Sequence, residues 1–296
     1  MSLVNGDDFI GVETIRYIYI FSSLFENSSI VDASNLKLPA TTLGSYCYQE
    51  MFKDCTSLTQ APELPATTLK NGCYSYMFHG CTSLTQAPEL PATTLATNCY
   101  EDMFKNCTSL THAPELPATI LEAYCYIAMF LDCTSLTQAP ELPATTLANN
   151  CYASMFRRCT SLTQAPELPA TTLATECYLQ MFQGCTGLTQ APELPATILG
   201  DSCYKEMFKD CTSLTHAPEL PATTLKNGCY YEMFYNCTSL MRIVMLATDL
   251  SAGGVLTDWV NGVAASGTFV KAAGVNIPSG TGGIPDGWTV EERAVE

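Results

Sequence analysis

Residues 55–69 read CTSLTQAPELPATTL, and the same fifteen letters return at Cys81, Cys133 and Cys159. Near copies begin at Cys107, Cys185 and Cys211. Between copies lie eleven residues that vary. The second cysteine of each unit falls at Cys55, Cys81, Cys107, Cys133, Cys159, Cys185, Cys211 and Cys237, always 26 residues apart. A second column, Cys47, Cys73, Cys99, Cys125, Cys151, Cys177, Cys203 and Cys229, keeps the same step. The two columns hold all 16 cysteines. A fixed period of this length signals a solenoid, in which each unit packs on its neighbours.

The unit has two parts. In CYQEMFKDC, Cys47, Met51 and Cys55 recur every four residues with Tyr48 and Phe52 beside them, and Gln49, Glu50, Lys53 and Asp54 lie opposite. That spacing predicts a helix of about two turns with one buried face. The following LTQAPEL reads as a short extended segment with Leu58, Ala61 and Leu64 inward. Pro62 and Pro65 remove ladder donors, so the strand is expected to be brief.

The order of helix, C-x-x-L, strand, L-P and L resembles the bacterial leucine-rich repeats of the BspA-like (Treponema-pallidum-type) class. Leu58, Ala61, Leu64, Pro65, Leu69, Cys73 and the Met77-Phe78 pair fill that pattern in turn. This unit departs from it in its length of 26, in the added Pro62 and in Cys-Tyr where Ile-Gly is usual. The resemblance implies an α/β repeat solenoid, a right-handed leucine-rich-repeat superhelix. It also implies a bacterial surface protein that adheres to host or neighbouring cells.

Three regions are expected: an N-terminal segment 1–19, about nine repeats over 20–246, and a C-terminal cap over 247–296. IFSSLFENS is a degenerate first unit, with Ile20 and Ser28 in the cysteine columns. In the last unit MRIVMLATDL replaces the proline-bearing phrase, which predicts a better strand, with Met245 in the glutamate's place and covered by the tail. The cap is expected to be small and α+β. Asp258 would open a short helix in DWVNGVAAS, GTFVKAAG and GWTVEE would be strands, and Trp259, Phe269 and Trp288 would form its core. Its W-V-x-G-V and G-W-T-V elements resemble C-terminal segments of the same family.

Composition narrows the function. The net charge is −16, which argues against nucleic acid and anionic membrane as partners. No apolar run reaches membrane-spanning length, so no membrane insertion is expected. MSLVNGDDF, with Asp7 and Asp8, lacks a basic n-region and is not a secretory signal. That leaves an intracellular protein or one whose export signal is absent from this sequence, and of the two the localisation expected is the cell surface or secretion.

The cysteines suit neither disulfides nor zinc. Cys47 and Cys55 would lie about 12 Å apart on a helix, and no C-x-x-C pair is present. They are read as small buried residues whose S–H groups meet backbone carbonyls. Glu63, Glu89, Glu115, Glu141, Glu167, Glu193 and Glu219 form an acidic ladder, one per repeat. It reads as a solvated ridge, with weak calcium binding as the alternative; no cofactor and no dedicated metal site are expected. The exposed variable positions Tyr46, Tyr76, His79, Tyr124, Arg157, Arg158, Tyr231 and Tyr235 are the candidate ligand contacts. His79, His112 and His216 have no fixed acid or nucleophile partner and no catalytic motif is present, so no catalytic residue is assigned and no enzyme is expected. The reading is an interaction or adhesion protein for protein or glycan ligands. The alternative is a structural spacer, such as part of a phage tail fibre or surface layer.

Overall fold

The computed structural model describes residues 11–295; the first ten residues of the expected N-terminal segment lie outside the described residues. Extended segments stack in parallel through two columns of bridges. One links Gln86, His112 and Gln138, and the other links Thr42, Thr68, Thr94, Ile120 and Thr146, each bridge joining residues 26 apart. Between the columns lies the A-P-E-L-P run. Prolines there withhold the amides a ladder needs, so the extended segments of the middle repeats reduce to bridges. Strands form at the ends: β1 (Thr14–Ile15) with β2 (Thr42–Leu43), and β3 (His216–Leu220), β4 (Arg242–Met245), β5 (Thr268–Ala272) and β6 (Thr289–Arg293) in one parallel sheet.

The expected helix is absent. No α-helix occurs among the described residues. CYQEMFKDC is instead a chain of overlapping turns whose alternate residues are left-handed: Tyr46, Tyr48, Glu50 and Asp54 have φ of 58°, 60°, 56° and 57°. Alternate amides close i→i−3 turns, as from Met51 to Tyr48 and from Cys55 to Phe52. Most of the others leave the repeat: Glu50, Phe52 and Asp54 donate to Ser75, Met77 and His79 of the next one. A helix spends its amides on itself, whereas this ribbon uses half of them to bind its neighbour. The four-residue recurrence of buried side chains suits both, which is why the apolar pattern alone misleads.

The Cys-Tyr peptide takes two orientations. Tyr48, Tyr74, Tyr100 and Tyr126 donate back to Ile20, Cys47, Cys73 and Cys99, whereas Tyr152, Tyr178, Tyr204 and Tyr230 donate forward to Cys177, Cys203, Cys229 and Val255. The first four are left-handed, with φ of 60°, 62°, 63° and 59°. The peptide therefore turns over between the repeats of Tyr126 and Tyr152.

Two aromatic files run along the core. Phe25, Phe52, Phe78 and their successors to Phe234 stack with ring centroids 5.3–5.7 Å apart. Phe21, Tyr48, Tyr74 and the later tyrosines to Tyr230 form the second file at 5.6–6.1 Å. Trp259 ends both, 6.2 Å from Tyr230 and 6.0 Å from Phe234, with Phe269 edge-on against it. Each fully buried large apolar side chain stabilises by about 1.5–3 kcal/mol, so repetition builds one long core.

All 16 cysteines are buried and free. The second-column thiols donate to the phenylalanine carbonyl of the preceding repeat at 2.9–3.1 Å. Ser28 stands in this column and meets the sulfur of Cys55 at 3.3 Å.

The C-terminal region continues the stacking and is not α+β. Its expected helix is another rung of turns, with Asp258 left-handed at φ 48° and the carbonyls of Thr257, Trp259 and Asn261 accepting amides from Glu232, Phe234 and Asn236. Trp259, Phe269 and Trp288 are buried there. The last repeat drops a residue, and the register shifts between His216 and Glu219. Val244, not Met245, therefore takes the glutamate's rung opposite Glu219, and Met245 turns inward opposite Leu220.

Candidate functional site

The variable positions are held by backbone geometry more than the sequence suggests. The last residue of each variable stretch is left-handed in every repeat: Asn27, Asp54, Gly80, Asn106, Asp132, Arg158, Gly184, Asp210, Asn236 and, in the cap, Gly262. All but Arg158 are Gly, Asn or Asp, the residues that tolerate this conformation best. That composition was visible in the sequence and is the signal that distinguishes a turn ribbon from a helix. At Gly80 an added Cβ would sit 2.2 Å from Asp54 Oδ1 of the preceding repeat.

The candidate contacts do not form one site. Tyr46 is half-buried and stacks on Tyr19, centroids 4.9 Å apart. Tyr76 and His79 lie together at 6.0 Å. The Tyr76 hydroxyl donates to Glu101 Oε1 at 3.0 Å, and burial, with the carboxylates of Asp102 and Glu101, pushes its pKa up. His79 Nε2 meets Asn106 Nδ2 at 3.2 Å, and burial lowers the imidazole's pKa. Arg157 is half-buried; Arg158 reaches Asp132 at 2.8 Å. Tyr231 and Tyr235 lie under Lys205 and Lys209, whose ammonium groups stand 4.8 and 4.9 Å from the ring centroids. Only Tyr124 and Arg158 of this set are exposed. Much of this side is thus spent on contacts between repeats.

The opposite side, built by the constant phrase, is open. All seven ladder glutamates are exposed. Glu63 to Glu193 have neither a hydrogen bond nor an ion pair among the described residues, while Glu219 pairs with Arg293. Between successive A-P-E-L-P runs lie shallow concavities. One of about 400 Å³ is walled by Pro140, Glu141 and Pro143 on one rung and Pro166, Glu167 and Pro169 on the next. Others follow the same register one repeat earlier and one later, at about 390 and 220 Å³. The sequence pattern shows the glutamates as an exposed ladder but not that the prolines beside them wall a periodic groove.

Among the described residues no three His, Cys, Asp or Glu side chains are grouped to hold a metal ion. Among the described residues no helix is long and apolar enough to cross a membrane.

Parallel rungs, a leucine at each turn and a buried cysteine ladder define a leucine-rich-repeat solenoid. The chain belongs to the BspA type leucine rich repeat region family, whose pattern matches six copies within residues 48–189 and 145–251. It is also similar to a leucine-rich repeat protein from Bacteroides ovatus ATCC 8483, solved by crystallography. The two share 15% identity over 80% of this chain and 78% of that one, at a TM-score of 0.27. That likeness is too distant to carry residue positions across. No curated protein sequence matches.

Proposed function

We infer that this chain is a non-enzymatic interaction protein whose binding surface is the outer edge of the A-P-E-L-P runs. The carrying observation is the row of proline-walled concavities that repeats with the unit and is open among the described residues. Membership of the BspA-type family supports an interaction role, exported to the cell surface or secreted. Export is compatible with unpaired thiols here, because all sixteen are buried out of reach of oxidants. Protein is favoured over glycan: the groove is walled by proline, glutamate, alanine and leucine and offers no aromatic ring for a sugar to lie on. The reading needs no cofactor.

A spacer role is the second reading. It is favoured by the two aromatic files, which run from Phe21 and Phe25 to Trp259 as one core.

The test compares three immobilised proteins against panels of surface proteins and of glycans. They are the parent chain, a groove variant (Glu115→Gln, Glu141→Gln, Glu167→Gln) and a turn-side variant (Tyr124→Ser, Arg157→Ser, Tyr231→Ser). The expected result is protein ligands kept by the turn-side variant and lost by the groove variant. Ligands that are lost only by the turn-side variant, or a chain that binds nothing, would contradict it.

A further inference from the structure

At one end the molecule sets a cation on its own carboxylate ladder, and that pairing indicates what suits the rest. Beyond Glu219 the outward column continues as Val244, Val270 and Glu291. Val244, Leu246 and Val270 form a small cluster separate from the main core, with Val295 packed against it. Two residues before Val295, Arg293 places its guanidinium on the Glu219 carboxylate. This face thus carries an aliphatic side chain, Val295, over the valines and a cation from the last residue of β6 on the ladder's carboxylate. Upstream the same column offers Glu63, Glu89, Glu115, Glu141, Glu167 and Glu193, all exposed and all without a cation among the described residues.

We propose that the groove from Glu63 to Glu193 docks an extended, proline-rich polypeptide segment carrying arginine or lysine at every third residue. This rests on the interaction reading above and names its partner class. Charge complementarity is the first argument: a row of unpaired carboxylates on a chain of net charge −16 draws a cationic partner. Spacing is the second. Bridged rungs repeat about every 4.8 Å, so alternate glutamates stand about 10 Å apart. A polyproline II segment repeats every three residues, about 9.3 Å. A cation at every third residue therefore faces every second rung, and the residues between drop into the proline-walled concavities. Such a segment is already extended when free, so docking costs little conformational entropy.

The probe is a fluorescein-labelled peptide of six Arg-Pro-Pro triplets, titrated by fluorescence anisotropy onto the full chain at low and physiological salt. Binding is expected at both, weaker at the higher salt. Glu115→Gln with Glu141→Gln and Glu167→Gln should weaken it at least tenfold. A charge-matched control (Glu13→Gln, Glu122→Gln, Glu176→Gln) should change it less than twofold. Six Arg-Pro-Pro-Pro repeats, which break the register, should bind several-fold more weakly. Equal losses in the two triple variants would reduce the effect to net charge and overturn the proposal, as would equal affinity for both peptides or no binding. If the peptide fails while the groove variant still loses protein ligands on the panel, the partner class falls and the interaction reading stands.

Discussion

The thiol of Cys107 donates to the carbonyl of Phe78 at 3.1 Å, and the same carbonyl accepts the amide of Cys81 from its own repeat. One oxygen thus closes a turn and ties it to the next rung. Cysteine fits because it is small, apolar and a weak donor, and a buried polar group without a partner would cost more than this one returns.

Burial holds these thiols protonated. Those of Cys73, Cys99, Cys125 and Cys185 are pushed up to about 12, and that of Cys229 to about 11, from an ordinary 9.0. In the unfolded chain they ionise from about pH 9; in the folded protein they do not. The unfolded state then binds fewer protons, so this stability is complete below pH 9 and is lost as pH rises toward 12. Each of these five thiols weakens the fold by about 1.4 kcal/mol per pH unit between its unfolded and its folded value. We expect one steep alkaline unfolding transition above pH 9, with thiolate absorbance rising together with the loss of structure. Gradual thiolate formation in a folded protein would contradict this. A disulfide reagent at neutral pH should find no reactive thiol before denaturant is added and sixteen after.

The left-handed columns predict opposite signs for two simple substitutions. Gly80→Val should destabilise by about 2 kcal/mol or more, because it adds a branched side chain at φ 73° against Asp54. Arg158→Asn relieves the one ill-suited residue in its column and gives up an exposed ion pair to Asp132 that contributes little. It should stabilise by about 0.5 kcal/mol. Urea titrations at one pH measure both.

The hydroxyls of Tyr48, Tyr74, Tyr100, Tyr126 and Tyr178 are buried without a hydrogen-bond partner among the described residues. Replacing Tyr100 by Phe removes that penalty and keeps the ring stack between Tyr74 and Tyr126. The expected change is neutral to about 1 kcal/mol stabilising, read as a raised Tm. The first repeat already uses Phe21 at this position.

Trp259 closes both aromatic files and donates its indole N–H to the Gly283 carbonyl at 2.8 Å. Trp259→Ala should cost about 3–5 kcal/mol and expose the C-terminal rungs to proteolysis before the middle ones.

Much of this was legible in the residues. The period, the two cysteine columns, Leu58 and Leu64 as core, and Trp259, Phe269 and Trp288 as a capping cluster all follow from spacing and apolarity. The helix did not follow, because Cys47, Met51 and Cys55 recur at a step that a helix and a turn ribbon share. Asn27, Asp54, Gly80 and Asn106 carried the deciding information, which an apolar-periodicity reading passes over. Val244 at the glutamate's rung was hidden by a single dropped residue. The groove was hidden because Pro62, Glu63 and Pro65 look the same in every copy, so nothing in the letters separated packing from presentation.

The turn ribbon is the claim on which the rest depends, since it spends the variable side on contacts between repeats and leaves the constant phrase facing outward. Intraresidue amide–Hα nuclear Overhauser effects test it most directly. A φ near +60° brings those two protons together, and a helical φ separates them. In a labelled chain the account predicts strong intraresidue signals at Asn98, Asp102 and Asn106, and weak ones at Cys99, Met103 and Phe104. Uniformly weak intraresidue signals, with strong amide–amide contacts along the whole stretch, would restore the helix and contradict the account.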